Sequence, residues 1–392
     1  MTIPSEVLAT IPKSPRELKH SLGPFSLHCR FLLMTPLIQK QKALALMLIM
    51  ILIKLYWKKS ISLKLRPDDP KDLTFVLEED HIPEGFLRGD IQASGRRHLI
   101  FASDKQLAYL AKAKTWYIDG TFKLCRHPFV QLLSINGFVQ KEDYAKQVPL
   151  LFVLMSGRKK KDYKKVLRKV LSILPSEPRV KEVVLDFERA LWSCIRKEMV
   201  DVNIVGCAFH WTQAVWRKIQ AHGLSTQYEK DNGTYEYLRK ILALPFLPAE
   251  AIKPTWQQLK GNANTPALRD LVNYVNDTWI EGNTWPPSAW SVYGRSIRTN
   301  NDLEGWHNAL NRRACGKGQL PMYLLIKLLH NEASLVSLQI RLVSEKKLRR
   351  IQRRKYRQLQ AKIFEQWAAY EANEKTAIQL LSACSRLCAG PC

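Results

Sequence analysis

The sequence predicts an α/β fold in which one mixed sheet is flanked by helices. Three observations lead to this prediction. Strand-like and helix-like segments alternate over residues 86–220, a stretch with helical spacing interrupts them, and the last part of the chain is rich in lysine and arginine. With 392 residues, of which 46% are hydrophobic, the chain is long enough to bury a sizeable core.

The alternating region begins with three segments that have the composition of strands. They cover residues 115–122, 129–139 and 147–155, and their short polar connections are typical of antiparallel neighbours. A helix is expected over 161–174, where apolar residues recur every three or four positions. The pattern then continues as strand, helix, strand and helix, over residues 180–187, 188–199, 202–207 and 210–220.

The order of these elements predicts the position of the fourth strand. A right-handed crossover after the third strand can return the fourth strand to lie beside the first. This is the arrangement of ribonuclease H-like folds. Asp119, in the first strand, and Asp186, at the end of the fourth, are then expected side by side.

The rest of the chain is divided by pattern. Residues 1–85 have no predicted fold, residues 86–220 form the first part of the core, and residues 221–294 form an all-helical insertion. Residues 295–340 complete the core. Residues 341–392 form a basic helical tail, with a helix expected over 341–367.

One apolar run, residues 43–57, leaves three interpretations open. It is a core or partner-binding helix, a poorly packed segment from a mispredicted exon, or a membrane segment. The run contains Lys54 and is shorter than the roughly 20 residues that a membrane-spanning helix needs, so no membrane partner is expected. No signal peptide is expected either, because no apolar core closely follows Met1.

The net charge is the strongest indication of a partner. With 61 Lys and Arg against 35 Asp and Glu, the formal charge is +26, which predicts binding to a polyanion such as double-stranded DNA. Two basic segments are expected to contact phosphates, although a solvated helix face is the alternative for each. Their candidate residues are Arg158, Lys159, Lys160 and Lys161 in the first segment and Arg349, Arg350, Arg353 and Arg354 in the second.

Asp119 is an unusual residue for a strand of large apolar side chains. A buried carboxylate without a partner destabilises the fold by several kcal/mol, whereas two neighbouring carboxylates can share Mg²⁺ or Mn²⁺. Glu304 is expected in the first turn of a helix that begins near Asn301, with His307 beside it. The sequence therefore predicts that Asp119, Asp186 and Glu304 hold two such ions, the alternative being ordinary turn and cap residues.

The stretch CAFHW contains three further candidates. Cys207 and His210 have a zinc-like spacing, but zinc is not expected because the nearby sequence does not complete a ligand set. The other interpretations are a buried thiol with an imidazole that supports the site, or a pair that contacts the DNA. Trp211 is either a core residue or a side chain that stacks on an extruded base.

Five stretches together resemble the Mutator-like element (MULE) transposases, in particular the animal group associated with FLYWCH zinc fingers. They are TWYIDGTFK, QVPLLFVLMSGRKKKDY, VVLDFERALW, GCAFHWTQAVWRKIQ and RTNNDLEGWHNALNR, in the family's order. The resemblance implies a DDE-type catalytic core on a ribonuclease H-like fold. The family's two aspartates and glutamate match Asp119, Asp186 and Glu304, and its C-x-x-H element matches Cys207 and His210.

Such enzymes excise DNA elements by metal-dependent hydrolysis and join the freed 3′-hydroxyl to target DNA. The hypothesis is therefore a nuclear transposase that performs hydrolysis and strand transfer, with a homo-oligomer as one assembly. The alternative is a domesticated, non-mobile DNA-binding or regulatory protein on the same fold, because residues 1–85 contain Cys29 as their one cysteine and no zinc-finger ligand set. A structure-specific nuclease is a third hypothesis. Eight scattered cysteines predict reduced thiols, as a nuclear protein would have.

Overall fold

The computed structural model describes residues 67–387, apart from positions 143, 231, 296–300, 315, 317 and 349–353. These residues form a mixed α/β protein built on a seven-stranded sheet. The apolar run at 43–57 lies outside the described residues, as do Arg349, Arg350 and Arg353. In the described part of the chain, no helix is long and apolar enough to cross a membrane.

The sheet combines antiparallel and parallel strands. The strands are β1 (Leu87–Ala93), β2 (Arg96–Phe101), β3 (Thr115–Thr121), β4 (Gln131–Lys141), β5 (Tyr144–Met155), β6 (Glu182–Leu185) and β7 (Asn203–Gly206). Their order in the sheet is β1-β2-β5-β4-β3-β6-β7. The pairs β1-β2, β2-β5, β5-β4 and β4-β3 are antiparallel. The pairs β3-β6 and β6-β7 are parallel.

Helices connect and cover the strands. They are α1 (Asp104–Lys112), α2 (Lys160–Ser172), α3 (Arg189–Glu198), α4 (Ala208–Ala221), α5 (Ser225–Lys230), α6 (Asn232–Ala243), α7 (Ala249–Lys260), α8 (Pro266–Val275), α9 (Asn301–Arg313), α10 (Met322–Ser344), α11 (Arg354–Glu371) and α12 (Ala377–Leu387). A π-helical turn, Asn276–Ile280, extends α8.

The predicted order of strands and helices between residues 115 and 221 is confirmed, with element ends that differ by a few residues. The prediction that the fourth of these strands returns beside the first is also confirmed, since β6 pairs with β3. The β1-β2 hairpin and α1 were not predicted. The hairpin turns at Ser94 and Gly95, both with positive φ, which is the geometry of a tight two-residue turn.

The described residues of segment 221–294 form helices joined by turns and irregular connections, and they contain no strand. Trp256, Trp279 and Trp290 are buried in its core. The C-terminal helix α11 contacts the same segment, where the Trp367 indole N–H donates to the Phe246 carbonyl at 2.9 Å.

The single helix predicted over 341–367 is wrong, because α10 ends at Ser344 and α11 begins at Arg354. Lys346 has a φ of 58°, and the N–H groups of Lys347 and Leu348 donate to the Leu342 carbonyl. A left-handed residue with such closing hydrogen bonds is a common way to end a helix.

Candidate active site

Asp119, in β3, and Asp186, directly after β6, lie at equivalent positions relative to the pairing of these two parallel strands. Tyr117 of β3 is opposite Val184 of β6, and each aspartate follows its strand residue by two positions. The main-chain N–H of Gly120 donates to Asp119 Oδ1 at 2.9 Å, and only 7% of Asp119 is exposed. The strand register thus places two carboxylates together at one edge of the sheet.

Helix α9 brings Glu304 and His307 to the same edge. Its Leu303 packs in a small apolar cluster with Tyr117 and Val184 on this face of the sheet. Glu304 and His307 are one helical turn apart, so they lie on the same face of α9. Glu304 Oε1 is buried and has no hydrogen-bond partner among the described residues.

Trp306 fixes the position of α9 from its other side. Its indole N–H donates to Glu332 Oε2 on α10 at 2.9 Å, and its ring stacks on Phe152 at a centroid distance of 6.0 Å. Arg313, in the last turn of α9, forms an ion pair with the same Glu332 carboxylate. The side chains of Glu304 and His307 are therefore presented by a helix that is anchored to the sheet and to α10.

Neighbouring carboxylates affect the ionisation of Asp119. The pKa of Asp119 is raised from 3.8 to about 7, mainly by burial and also by the charges of Asp186 and Glu304, against the opposing Gly120 hydrogen bond. Burial raises the pKa of Glu304 to about 7. Burial also raises the pKa of Asp186, although backbone hydrogen bonds and the Arg158 guanidinium lower it. These three groups share one electrostatic environment in which ionisation of all three is unfavourable.

Two histidines face the same carboxylates. His307 Nδ1 lies 3.5 Å from Asp119 Oδ2. Burial lowers the pKa of His307 to about 4, with a contribution from His210, and burial likewise lowers the pKa of His210 to about 4. Both imidazoles are therefore neutral at pH 7. They can donate or accept a hydrogen bond, but they do not neutralise the carboxylates.

An open cleft of about 790 Å³ runs over this edge of the sheet. Asp119, Glu304, His210 and His307 contribute its polar side chains. The other lining residues are Gly120, Thr121, Phe122, Lys123, Phe209, Gly318 and Gln319. The cleft is thus lined by acidic, neutral aromatic and basic groups. The charge of Asp186, which directly follows the neighbouring strand β6, raises the pKa of Asp119.

A fourth carboxylate, Glu188, was missed in the sequence. The Tyr163 hydroxyl donates to Glu188 Oε2 at 2.9 Å and accepts a hydrogen bond from Gln131 Nε2 at 2.9 Å. Burial raises the pKa of Glu188, and the charge of Asp186 contributes to the increase. The available signal was the spacing, since Glu188 follows Asp186 by two residues in the connection between β6 and α3, where it is the N-cap of the helix.

The CAFHW candidates have separate locations. Cys207 is buried, precedes α4 and belongs to the apolar cluster around Leu303. His210 lines the cleft. Trp211 is 0% exposed and stacks on Trp290 at 5.2 Å between ring centroids, as the core interpretation expects.

In the first basic segment, residues 158–161, Arg158 lies next to the site. The Arg158 guanidinium carbon lies 4.8 Å from the centroid of the Phe122 ring, and the charge of Arg158 lowers the pKa of Asp186. Lys159, Lys160 and Lys161 are exposed at the start of α2. Arg354 begins α11.

The described residues contain no preformed metal site. With the side chains in their present positions, no group of three or more His, Cys, Asp or Glu residues in this part of the chain is arranged to hold a metal ion.

No curated protein matches the chain. Residues 115–214, which contain Asp119, Asp186, Cys207 and His210, match the family model of the MULE transposase domain. This stretch of the chain, from β3 to α4, is therefore similar to that domain.

Proposed function

We propose that this protein is a transposase-like enzyme that cleaves DNA phosphodiester bonds with divalent metal ions. The observation that carries the proposal is the convergence of three carboxylates from distant parts of the sequence. The pairing of β3 with β6 brings Asp186 beside Asp119, and Asp119 and Glu304 line the same cleft. The strand order β5-β4-β3-β6-β7 supports a ribonuclease H-like core, in which the adjacent parallel strands β3 and β6 position the catalytic aspartates.

The proposed metal ligands are Asp119, Asp186 and Glu304. Carboxylate oxygens suit Mg²⁺ and Mn²⁺, and the buried Glu304 Oε1 lacks a hydrogen-bond partner among the described residues. Because like charges repel at this site, we expect the side chains to draw together only when cations are present. Two such ions supply, when bound, activation of a water or 3′-hydroxyl and stabilisation of the leaving oxygen.

The other residues of the cleft have supporting roles in this proposal. His210 and His307, neutral at pH 7, orient the carboxylates or the DNA by hydrogen bonds rather than by charge. Arg158 and Lys123 hold the DNA backbone near the carboxylates. Strand transfer, a nuclear location and the FLYWCH-associated subtype are parts of the same proposal and remain predictions.

A nicking assay tests the catalytic proposal. Purified full-length chain should relax supercoiled plasmid in Mg²⁺ or Mn²⁺ but not in EDTA. Asp186→Asn and Glu304→Gln should each reduce the rate at least about 100-fold, as expected when a positioned charge-stabilising group is lost. Asp270→Asn, which changes an exposed carboxylate on α8, is the matched control and should nick at the wild-type rate.

Wild-type nicking by Asp186→Asn or by Glu304→Gln would exclude that residue as a ligand. Both variants should keep the wild-type circular dichroism spectrum and DNA affinity, so that loss of activity is separated from loss of fold.

A binding measurement tests the DNA partner. The formal charge of +26 predicts affinity for duplex DNA that depends little on sequence and falls steeply with salt. The slope of log affinity against log salt should be about −0.9 per phosphate contact. Replacement of Arg158, Lys159, Lys160 and Lys161 by glutamine should make the slope shallower. A flat salt dependence in the wild type would contradict the proposal.

A further inference from the structure

We propose that Phe122 is a stacking platform for a DNA base next to the cleaved bond, with Arg158 against the ring. This inference rests on the proposed function, because it requires a DNA strand in the cleft. The ligand is a nucleobase that is not held in a duplex stack, at a single-stranded end or at a distorted base step.

The exposure of Phe122 is the first observation. Phe122 is 51% exposed, although burial of such a ring normally stabilises a protein. Exposed apolar residues are ordinary on protein surfaces, so exposure alone does not indicate a function. Phe122, however, lies in the wall of the cleft together with Asp119 and Glu304.

The second observation is that the backbone at Phe122 is fixed. Gln319 N–H donates to the Lys123 carbonyl at 2.8 Å, and Leu320 N–H donates to the Leu124 carbonyl at 3.0 Å. Leu124 is buried in the core, and the Phe122 carbonyl accepts a hydrogen bond from Cys125. The ring is thus exposed on a chain segment anchored on both sides, so a base that binds to it does not have to order a loose loop.

The third observation is the cation beside the ring. The Arg158 guanidinium carbon lies 4.8 Å from the ring centroid, and the charge of Arg158 also acts on Asp186 and Glu188. Arg158 therefore connects the aromatic ring to the carboxylates. An aromatic ring combined with basic side chains is the usual composition of sites that hold unpaired nucleotides.

The position of the platform indicates which nucleotide it holds. Phe122 follows Asp119 by three residues on the same chain segment. A phosphodiester at the carboxylates would therefore place a flanking base at the ring. Trp211, the residue for which the sequence left base stacking open, is 0% exposed and cannot take this role without unfolding of its surroundings.

Photocrosslinking tests the inference with a readout that does not depend on catalysis. The probe is a DNA duplex with a single-stranded 3′ end of 5-iododeoxyuridine, mixed with full-length chain in EDTA and irradiated. Trypsin should release residues 115–123 as one peptide, and mass spectrometry should place the crosslink on Phe122. Affinity for the same probe should fall about 5- to 100-fold in Phe122→Ala, the range measured when one base-stacking aromatic is lost.

Controls separate stacking from general effects. Phe122→Trp should retain affinity, and Phe122→Ala should bind blunt duplex within about twofold of wild type. Phe364→Ala removes another exposed phenylalanine, which is 38% exposed on α11, and should behave as wild type.

Each outcome has a separate meaning. Salt-sensitive DNA binding with equal affinity of wild type and Phe122→Ala for the single-stranded end would overturn the stacking inference and leave the proposed function intact. A crosslink located outside residues 115–123 would do the same. Absence of any DNA binding by the wild type would overturn both.

Discussion

Replacement of Asp119 by asparagine should stabilise the protein at pH 8 when no divalent metal is present. Asp119 is buried, and its pKa of about 7 means that the folded protein resists its ionisation. Asparagine keeps an oxygen that can accept the Gly120 hydrogen bond but removes the charge. The variant therefore relieves a burial penalty and the repulsion from Asp186 and Glu304.

The sign and the size of the effect follow from the pKa. In the folded state the pKa is raised from 3.8 to about 7, so the folded protein binds this proton more tightly than the unfolded chain. Stability linked to Asp119 is therefore complete below pH 4, decreases as the pH rises from about 4 to 7, and stays low above. At 1.36 kcal/mol per pKa unit, the loss is at most about 4 kcal/mol.

Thermal unfolding in EDTA measures this prediction. With about 2 °C per kcal/mol for a chain of this size, Asp119→Asn should melt up to about 8 °C above wild type at pH 8 and close to wild type at pH 4. Addition of Mg²⁺ or Mn²⁺ should raise the Tm of the wild type and not of the variant, because a ligand that binds only the native state stabilises it. Asp270→Asn should change neither value.

Two results would refute this reasoning. One is a Tm of Asp119→Asn below wild type at pH 8 in EDTA, which would mean that the ionised carboxylate stabilises the fold. The other is a difference of equal size at pH 4 and pH 8, which would mean that the effect is not linked to the ionisation of Asp119.

Two further substitutions examine the support of the site. Tyr163→Phe removes the hydrogen bond that lowers the pKa of Glu188, so this pKa should rise. The acidic limb of the plot of nicking rate against pH should therefore move to higher pH. An unchanged profile would show that Glu188 does not affect the reaction. Gly206→Ala would place a Cβ 2.2 Å from the Phe187 ring and should lower the denaturant-derived free energy of unfolding by about 1–3 kcal/mol. Gly261→Ala, where a Cβ meets nothing within 4 Å, is the control and should be nearly neutral.

The placement of Asp119 beside Asp186 could be predicted because it depends on chain order. Once three strands are followed by a helix and a fourth strand, the handedness of the crossover leaves few positions for that strand. The residues of β3 and β6 also have strong strand composition, so both strands can be recognised in the sequence, although β6 is shorter than the predicted 180–187. The pairing of Tyr117 with Val184 then fixes the relative positions of the two aspartates.

Other parts of the fold carry weaker local signals. No residue of β1 is buried, and its sequence LRGDIQA contains a glycine and charged residues. Such an edge strand is defined mainly by its partner β2 and by the Ser94-Gly95 turn, not by its own composition. This is why the hairpin was not predicted, although the Ser-Gly dipeptide was a usable turn signal.

The surroundings of the site depend on contacts between distant residues. Trp211 is buried by Trp290, and the sequence does not reveal that a residue 79 positions away will cover it. The contact of Arg158 with Phe122 and the hydrogen bond from Tyr163 to Glu188 are of the same kind. Spacing predicts which residue types converge, whereas side-chain packing decides which of them face the cleft.

The helical segment 221–294 contributes directly to the position of Asp186. Phe187 lies against Trp279 and Trp285 of this segment, with ring centroids 4.6 and 5.6 Å away. On its other side the Trp192 indole N–H donates to the Asp186 carbonyl at 2.5 Å. The strand β6 itself has four residues and could not hold its end firmly by ladder hydrogen bonds alone. The helical segment 221–294, which is inserted between α4 and α9, therefore supports the position of Asp186. The chain that follows this segment forms α9 and supplies Glu304.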